Sequence, residues 1–265
     1  MQKRNRLHQL KSKKLWRDGI TVGLAIFGGV SAITGATFGS IKDLTDNLWI
    51  SVLVTIGALI VSYVVAIVWK WWQVKDSISL KIRGIKVTIR QGDIFKEDGL
   101  KVIGVDSTFS TSEDDQVISH SSLHGKLIRQ LSDNCEIKAF RDSIDADTRE
   151  MSLGSIKQYN DYLLMVMTTL DNNNEAHTCN QKYESTLRTM WMEIGRVYSG
   201  RPIVLPLLGD GIIRFDGVSE KPSPYALLKC MLCTLKTSSV QLKAPVTIVI
   251  YDRINDINLY DLKGV

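Results

Sequence analysis

The segment of this chain best suited to binding a ligand is a glycine-rich loop that follows a short apolar strand. The strand is predicted over PIVLPLL at residues 202–208, and the loop consists of Gly209, Asp210, Gly211, Ile212, Ile213 and Arg214. In an open α/β sheet, ligands bind at the carboxyl ends of the strands. Two glycines allow backbone N–H groups to turn toward a phosphate, and the Arg214 guanidinium can add a charged fork. The loop predicts a phosphate site, with an ordinary strand-to-helix turn as the alternative.

Aspartates in this loop and in an earlier one leave two interpretations open. The Asp210 carboxylate repels a phosphate unless it turns outward or pairs with a cationic group on the ligand. Asp93 lies in Gly92-Asp93-Ile94, after a strand predicted over residues 85–90. A carboxylate in such a turn can accept a hydrogen bond from an exocyclic amine such as that of adenine, or it can cap the turn.

Other arrangements of reactive residues do not predict a catalytic or metal site. His120 and His124 are spaced to share a helix face, but no third ligand follows, which favours surface or core histidines. Cys230-x-x-Cys233 lies in a predicted amphipathic helix without a second pair, which favours buried thiols. The four cysteines have irregular spacing and predict no disulfide framework, as expected in a reducing cytoplasm.

These candidate residues lie between alternating strand and helix patterns in the second part of the chain. Strands are predicted at residues 85–90, 101–106, 155–160, 162–170, 202–208 and 246–251. Helices are predicted at residues 116–132, 134–145, 179–199, 223–237 and 252–262. The alternation predicts a layered α/β domain with a largely parallel sheet.

Two apolar spans, Ile20–Ile41 and Leu48–Trp69, precede this domain. Both are uncharged and close to the roughly 20 residues that cross a hydrocarbon core, so they predict a two-helix transmembrane hairpin. In the first span, Ser31, Gly35 and Gly39, and likewise Ala25 and Gly29, recur at four-residue spacing. Such small residues let helices approach closely, either between the two spans or between protomers.

Charge predicts the orientation of this hairpin. Residues 1–19 carry seven Lys and Arg, residues 70–90 carry six, and the short connection carries only Lys42 beside Asp43 and Asp46. The positive-inside rule therefore places both termini in the cytoplasm. The formal charge is +10 over residues 1–90 and −5 over residues 91–265. The basic part suits anionic lipid, whereas an acidic domain argues against nucleic-acid binding.

The Gly92–Ile94 turn and the Leu208–Arg214 loop, in this order, resemble the motifs of a macro domain over roughly residues 85–265. The resemblance implies a three-layer α/β/α sandwich with a mixed, mostly parallel sheet that binds ADP-ribose. Asp93 would hold the adenine amino group beside the Ile94 amide, and the loop from Gly209 to Ile213 would cradle the diphosphate.

The middle of the chain departs from the macro-domain pattern. Asp106 or Ser107 would lie near the distal ribose, but catalytic macro domains carry asparagines where this chain has VDST at residues 105–108. Where they have three glycines, it has only Gly125. The resemblance therefore implies ligand binding without catalysis, and it implies neither a metal nor a cofactor.

Two spans followed by a divergent macro-like domain resemble the membrane effectors of type II Thoeris antiphage systems. That resemblance implies a TIR-domain partner that makes a signal from NAD, histidine–ADP-ribose in this family. The effector would bind the signal, form homo-oligomers and disrupt the inner membrane, so that the infected cell dies. A membrane-tethered ADP-ribosylhydrolase and a holin-like toxin are the alternatives.

The expected organisation has four parts. They are a basic cytoplasmic N-terminus at residues 1–19, the hairpin at residues 20–72, a connector at residues 73–84 and the macro-like domain at residues 85–265. We expect a multi-pass protein of the bacterial inner membrane, with the macro-like domain in the cytoplasm.

Overall fold

The computed structural model describes residues 10–34, 47–73, 77–109, 119, 121–133, 136–145 and 151–263. By contacts between residues, the chain divides into two compact units. The larger is Ser79–Ile257, and the smaller combines Lys3–Ile78 with Asn258–Gly264.

A mixed sheet forms the centre of the larger unit, and the described residues contribute nine strands. These are β1 (Ser77–Ile82), β2 (Ile85–Gln91), β3 (Leu100–Asp106), β4 (Ile156–Tyr159), β5 (Tyr162–Leu170), β6 (Ala176–Thr178), β7 (Ile203–Pro206), β8 (Arg214–Phe215) and β9 (Val246–Ile250). Their order is β1-β2-β9-β7-β3-β5-β6-β8, with β4 paired to β5. Strands β2, β9, β7, β3 and β5 run parallel, whereas β4 and β6 pair antiparallel with β5. The predicted mixed, mostly parallel sheet is confirmed.

Side chains on both faces of the sheet are buried. Leu164 and Val166 of β5 belong to a core cluster with Leu127 and Phe140, which come from helices on one face. Because side chains alternate along a strand, Leu163 and Met165 point to the opposite face, where they are also fully buried. A strand buried on both faces appears in the sequence as the continuous apolar run LLMVM at residues 163–167.

Four helices cover the sheet in the described part of this unit. They are α3 (Leu123–Asp133), α4 (Ile137–Asp145), α5 (Asn180–Val197) and α6 (Pro224–Thr237), numbered after the two helices of the smaller unit. Helix α3 begins later than the helix predicted over residues 116–132. Ser122 precedes it, and its Oγ accepts a hydrogen bond from the Gly125 amide at 2.9 Å, as an N-cap residue does.

The prediction of a helix over residues 252–262 is wrong. Two 3-10 turns occupy this segment instead, Arg253–Asp256 and Leu259–Leu262. Asn258, between them, has an extended backbone, and its side chain accepts a hydrogen bond from the Tyr260 amide at 3.1 Å. This local hydrogen bond competes with continuation of a helix. The segment predicted as a connector also contains strand β1, which the sequence analysis missed.

The smaller unit contains helices α1 (Lys13–Thr34) and α2 (Leu48–Gln73), which pack against each other. Two glycines of α1 lie close to α2. A Cβ on Gly23 would lie 2.9 Å from the Tyr63 Cα, and one on Gly19 would lie 2.8 Å from the Ile67 Cγ1. Contact between the helices therefore depends on the absence of side chains at these two positions.

Of the glycines predicted to form a helix contact, only Gly29 is among the described residues, and it does not touch α2. A Cβ on Gly29 would meet no atom within 4 Å, and Gly35 and Gly39 lie outside the described residues. Among the described residues, one helix, Leu48–Gln73, is long and apolar enough to cross a membrane. Residues 35–41 of the first predicted span lie outside the description, so the two-helix hairpin remains a prediction.

The C-terminal 3-10 turn belongs to the smaller unit and contacts the start of α1. Ser12 Oγ donates to the Asp261 carboxylate at 2.5 Å, and the Tyr260 hydroxyl donates to Asp18 Oδ2 at 2.9 Å. Tyr260 and Leu15 are both buried. The last part of the chain thus stabilises the first turns of the first helix.

Candidate ligand-binding site

A cavity of about 450 Å³ lies at the carboxyl ends of β2, β3, β7 and β9. The four strands run parallel, so the segments that follow them meet at one edge of the sheet. This volume falls within the roughly 300–1,000 Å³ of small-molecule sites. The cavity is therefore a candidate ligand site at the position where the sequence analysis predicted one.

Nine of the twelve predicted site residues line the cavity. They are Asp93, Ile94, Asp106, Leu208, Gly209, Asp210, Gly211, Ile212 and Ile213. The loop after β2 and the loop after β7 are thus brought together, although more than 100 residues of sequence separate them.

The remaining three residues, Ser107, Gly125 and Arg214, are not among the lining residues. The Ser107 amide donates to the Thr168 carbonyl, which holds this residue in the sheet. Gly125 lies in the first turn of α3 and is buried. Arg214 belongs to β8, and its guanidinium pairs with the Glu175 carboxylate at 2.5 Å. The predicted charged fork is therefore engaged by a carboxylate at the sheet edge.

The loop after β7 requires glycine at position 209. Gly209 has φ +82°, and a Cβ there would lie 2.9 Å from Tyr183 Cε2. The Tyr183 hydroxyl donates to the Leu208 carbonyl at 2.9 Å, and burial raises the Tyr183 pKa well above its ordinary value. Tyr183 therefore stays protonated as a donor, and its ring occupies the space that any side chain at position 209 would need.

Asp210 is paired within the protein. Its Oδ1 accepts a hydrogen bond from Arg253 Nη1 at 2.9 Å, and Arg253 Nε also contacts Asp256 at 2.8 Å. Partial burial raises the pKa of Asp210, while Arg253 and Lys221 oppose that shift. The repulsion that the sequence predicted between Asp210 and a phosphate is thus reduced by a cation of the protein itself.

Asp93 caps a turn and also lines the cavity. Its Oδ1 accepts a hydrogen bond from the Phe95 amide at 3.2 Å and caps the 3-10 turn Ile94–Lys96. The residue also lines the cavity. A carboxylate has two oxygens that accept hydrogen bonds, so capping a turn is compatible with binding an amine.

The end of β3 brings a carboxylate and an imidazole to the cavity, and both residues are buried. Asp106 is 8% exposed and accepts hydrogen bonds from the Thr108 amide, at 2.9 Å, and from its hydroxyl. His124 is 6% exposed, and burial lowers its pKa well below the ordinary value, although Asp106 opposes this shift. His124 is therefore uncharged near neutral pH.

Sequence reasoning missed several residues at or behind this cavity. Tyr251 and Arg253 line it and directly follow β9, so the rule that ligands bind at strand carboxyl ends could have identified them. Lys126 lines it from α3, with its Nζ 4.9 Å from the centroid of the Tyr251 ring. Lys221 contacts the glycine loop from outside the lining, and no sequence signal indicates that contact.

The remaining candidate groups have different environments. His120 lies outside the described residues, whereas His124 is the cavity residue described above. Cys230 and Cys233 are free thiols, but Cys233 is exposed rather than buried. Burial raises the pKa of the Cys230 thiol to about 11, so it is protonated and unreactive at neutral pH.

Asp171, Glu175 and His177 offer ligand atoms within 4.8 Å of one another at the β5–β6 edge. These groups are already paired in the protein. His177 Nδ1 contacts Asp216 Oδ1 at 2.8 Å, and Arg214 pairs with Glu175. The hydrogen bond with Asp216 raises the pKa of His177, which favours the protonated imidazole beside these carboxylates.

A mixed α/β sheet with a cavity at its strand ends, bordered by an aspartate turn and a glycine loop, defines a macro domain. The family model of the Thoeris protein ThsA macro domain matches residues 87–251. The chain therefore belongs to the Thoeris ThsA macro-domain family.

Similarity extends over nearly the whole chain in one relative. A Thoeris protein ThsA from Bacillus amyloliquefaciens (strain Y2) is 29% identical over 279 residues, covering 96% of this chain and 90% of the relative. Solved structures of the Oceanobacillus iheyensis macrodomain are also similar. A variant with ADPR has 16% identity and a TM-score of 0.45, covering 71% of this chain and 97% of that chain. The macrodomain with ADP has 15% identity and a TM-score of 0.40, covering 71% and 95%.

Proposed function

We propose that this chain is a membrane-anchored effector of bacterial antiphage defence, switched on by an ADP-ribose-derived signal that binds in the cavity. Membership of the Thoeris ThsA macro-domain family supports the defence role. The observation that carries the binding role is the meeting of Asp93 and the Leu208–Ile213 loop in one cavity. Their chemistry suits an adenine amino group and a diphosphate respectively.

The proposed signal is histidine–ADP-ribose, made from NAD by a TIR-domain partner. Asp106 brings a buried carboxylate to the cavity beside the uncharged His124. A buried carboxylate is stabilised by a cationic partner, and the α-amino group of a histidine conjugate supplies one. Plain ADP-ribose lacks that group, so we expect it to bind more weakly than the conjugate.

The cavity is proposed to bind its ligand without turning it over, and neither a metal nor a cofactor takes part. In catalytic macro domains asparagines occupy the place of residues 105–108. Here, Asp106 occupies that place, and Thr108 donates two hydrogen bonds to one of its carboxylate oxygens.

The apolar helices are proposed to carry out the action of the effector on the membrane. Side chains of α2 such as Leu53 and Val61 are 68% and 62% exposed, which suits a lipid environment. In this proposal both helices span the inner membrane, with the termini and the macro domain in the cytoplasm. Ligand binding favours a homo-oligomer that disrupts the membrane. For this switching to follow, the ligand must bind the oligomeric state more tightly than the unassembled state.

The test uses the full chain purified in detergent and reconstituted into vesicles of anionic lipid. Calorimetry measures the binding of ADP-ribose and of histidine–ADP-ribose, light scattering measures oligomer size, and a trapped dye reports leakage. We expect binding of both ligands, tighter for the conjugate, and leakage only when the conjugate is added. Asp93→Ala should weaken binding about tenfold or more, as loss of a hydrogen bond to a charged group does.

Asp98→Ala is the matched control, because Asp98 is an exposed aspartate that does not line the cavity. If neither ligand binds, the proposed function is wrong. Release of free ADP-ribose from an ADP-ribosylated protein would indicate the hydrolase instead. Leakage without any nucleotide would indicate the holin-like toxin.

A further inference from the structure

Four acceptor groups of the loop after β7 are occupied by Tyr183, Lys221 and Arg253, of which only Arg253 lines the cavity. The Leu208 carbonyl accepts from the Tyr183 hydroxyl at 2.9 Å. The Lys221 ammonium donates to the carbonyls of Asp210, at 2.9 Å, and of Gly211, at 2.5 Å. The Asp210 carboxylate accepts from Arg253. Four negative or partly negative groups of one loop are thus held by hydroxyl, ammonium and guanidinium donors.

The contact with Lys221 fixes the direction of two peptide groups. In a trans peptide the C=O and the following N–H point in opposite directions. With the Asp210 and Gly211 carbonyls directed at the ammonium, the N–H groups of Gly211 and Ile212 are directed away from it. Both of these residues line the cavity, whereas Lys221 does not.

The Lys221 ammonium interacts with groups of the protein itself. Its ammonium is partly desolvated, which lowers its pKa, while Asp210 opposes the shift. The chain around it is stiff, because Pro222 and Pro224 fix the backbone between Lys221 and helix α6. A cation held behind the carbonyl side of the two peptides strengthens the positive potential on their N–H side, which is the side an anion would approach.

We propose that Lys221 is a positioning residue for the anionic part of the ligand. It holds the Gly211 and Ile212 peptides so that their N–H groups donate to the diphosphate, and it does not contact the ligand. This inference rests on the proposed function for the identity of the ligand. The orientation of the loop itself is independent of that function.

Calorimetry on the full chain in detergent tests the proposal with Lys221→Met, which keeps the length of the side chain and removes its charge. We expect ADP-ribose to bind at least tenfold more weakly, because two donors to a charged group are no longer positioned. Adenosine, which has no phosphate, should bind within twofold of the unmodified protein. Lys221→Arg retains a cation with several donors and should recover most of the affinity for ADP-ribose.

Lys229→Met is the matched control, since it removes an equal charge from an exposed position on helix α6. It should leave both affinities unchanged. A merely structural role for Lys221 predicts equal losses for ADP-ribose and adenosine, and that result would overturn the inference. The same loss of ADP-ribose binding in both lysine variants would also overturn it.

Amide hydrogen exchange without ligand separates this inference from the proposed function. In Lys221→Met, the amides of residues 209–213 should exchange several-fold faster, and in Lys229→Met they should not. If the unmodified protein fails to bind ADP-ribose but this difference is observed, the proposed function is wrong and the control of the loop by Lys221 stands. If exchange is the same in both variants, the inference about Lys221 is wrong whatever the ligand does.

Discussion

The ring of Tyr183 lies where a side chain on Gly209 would have to be, with Tyr183 Cε2 2.9 Å from the position of a Cβ. The hydroxyl of the same tyrosine donates to the carbonyl of Leu208, the residue before that glycine. One aromatic side chain from α5 therefore determines both the space available to the glycine loop and the direction of its first carbonyl.

Gly209→Ala should weaken ADP-ribose binding more than tenfold, because the new methyl group clashes with Tyr183 and the loop must shift. It should also reduce the free energy of unfolding by about 1–2 kcal/mol, because a residue with a Cβ is strained at a positive φ. Gly217→Ala separates the two effects. Gly217 has φ +73°, but no atom lies within 4 Å of its Cβ position. We expect a similar loss of stability there with unchanged affinity, measured by thermal unfolding and calorimetry.

Tyr183→Phe should reduce the free energy of unfolding by about 1–3 kcal/mol, because it leaves the buried Leu208 carbonyl without its donor. Chemical denaturation of the full chain in detergent measures this loss. The exposed Tyr251 supplies the control, since Tyr251→Phe removes a hydroxyl from a half-exposed side chain. Equal stability of the two variants would contradict the role given to the Tyr183 hydroxyl.

The edge formed by β5, β6 and β8 should lose stability as pH rises. Asp216 raises the pKa of His177 above its ordinary value of 6.5. The imidazolium thus stabilises the fold fully below about pH 6.5, and this contribution is lost as pH rises through the higher pKa of the folded state. The other histidine of the described residues, His124, has a pKa lowered by burial, so its contribution to stability rises with pH as the unfolded imidazole deprotonates near pH 6.5. We therefore expect the change in unfolding temperature between pH 6 and 8 to be more negative in the unmodified protein than in His177→Gln, which keeps the His124 contribution.

Gly23→Val should disrupt the packing of α1 on α2, because its Cβ position lies 2.9 Å from the backbone of Tyr63. Overpacking of this kind costs about 1–3 kcal/mol. Gly28→Val adds the same atoms to the same helix at a position with no neighbour within 4 Å. We expect the unfolding temperature in detergent and the ligand-triggered leakage to fall for Gly23→Val and to be retained for Gly28→Val. Loss of leakage in Gly28→Val alone would indicate that the other face of α1 carries the helix contact.

The sheet was largely predictable because its strands are strongly apolar. The run at residues 163–167 is buried on both faces, and its shortness favours a buried strand over a buried helix. Strand β1 was missed because SISLKI is short and lies among basic residues that suggested a connector. The prediction of a helix over residues 252–262 failed for a local reason, since Asn258 caps a new turn in the middle of that segment.

The site was predictable only where its residues follow strands directly. Asp93 and Gly209 fall at strand ends, so the topology of the sheet brings them together. Tyr183 and Lys221 act on the glycine loop from a helix and from a distant loop, and only their three-dimensional contacts identify them. Arg214 illustrates the opposite error, because pairing of β8 with β6 brings it to Glu175 rather than into the cavity lining.

The hydrogen bonds of Ser12 and Asp18 to the C-terminal turn have a consequence for the connectivity of the protein. Because Asn258–Gly264 belongs to the same unit as α1 and α2, the macro domain is covalently an insertion within the helical unit, joined to it at both ends. A single proteolytic cut between residues 74 and 78 would therefore leave the domain held to the helices only by the non-covalent contacts of the C-terminal turn with the start of α1. Truncation after Ile257 would leave every strand of the sheet in place and remove the partners of Ser12 and Asp18. A short C-terminal deletion in this protein would therefore destabilise its N-terminal helix.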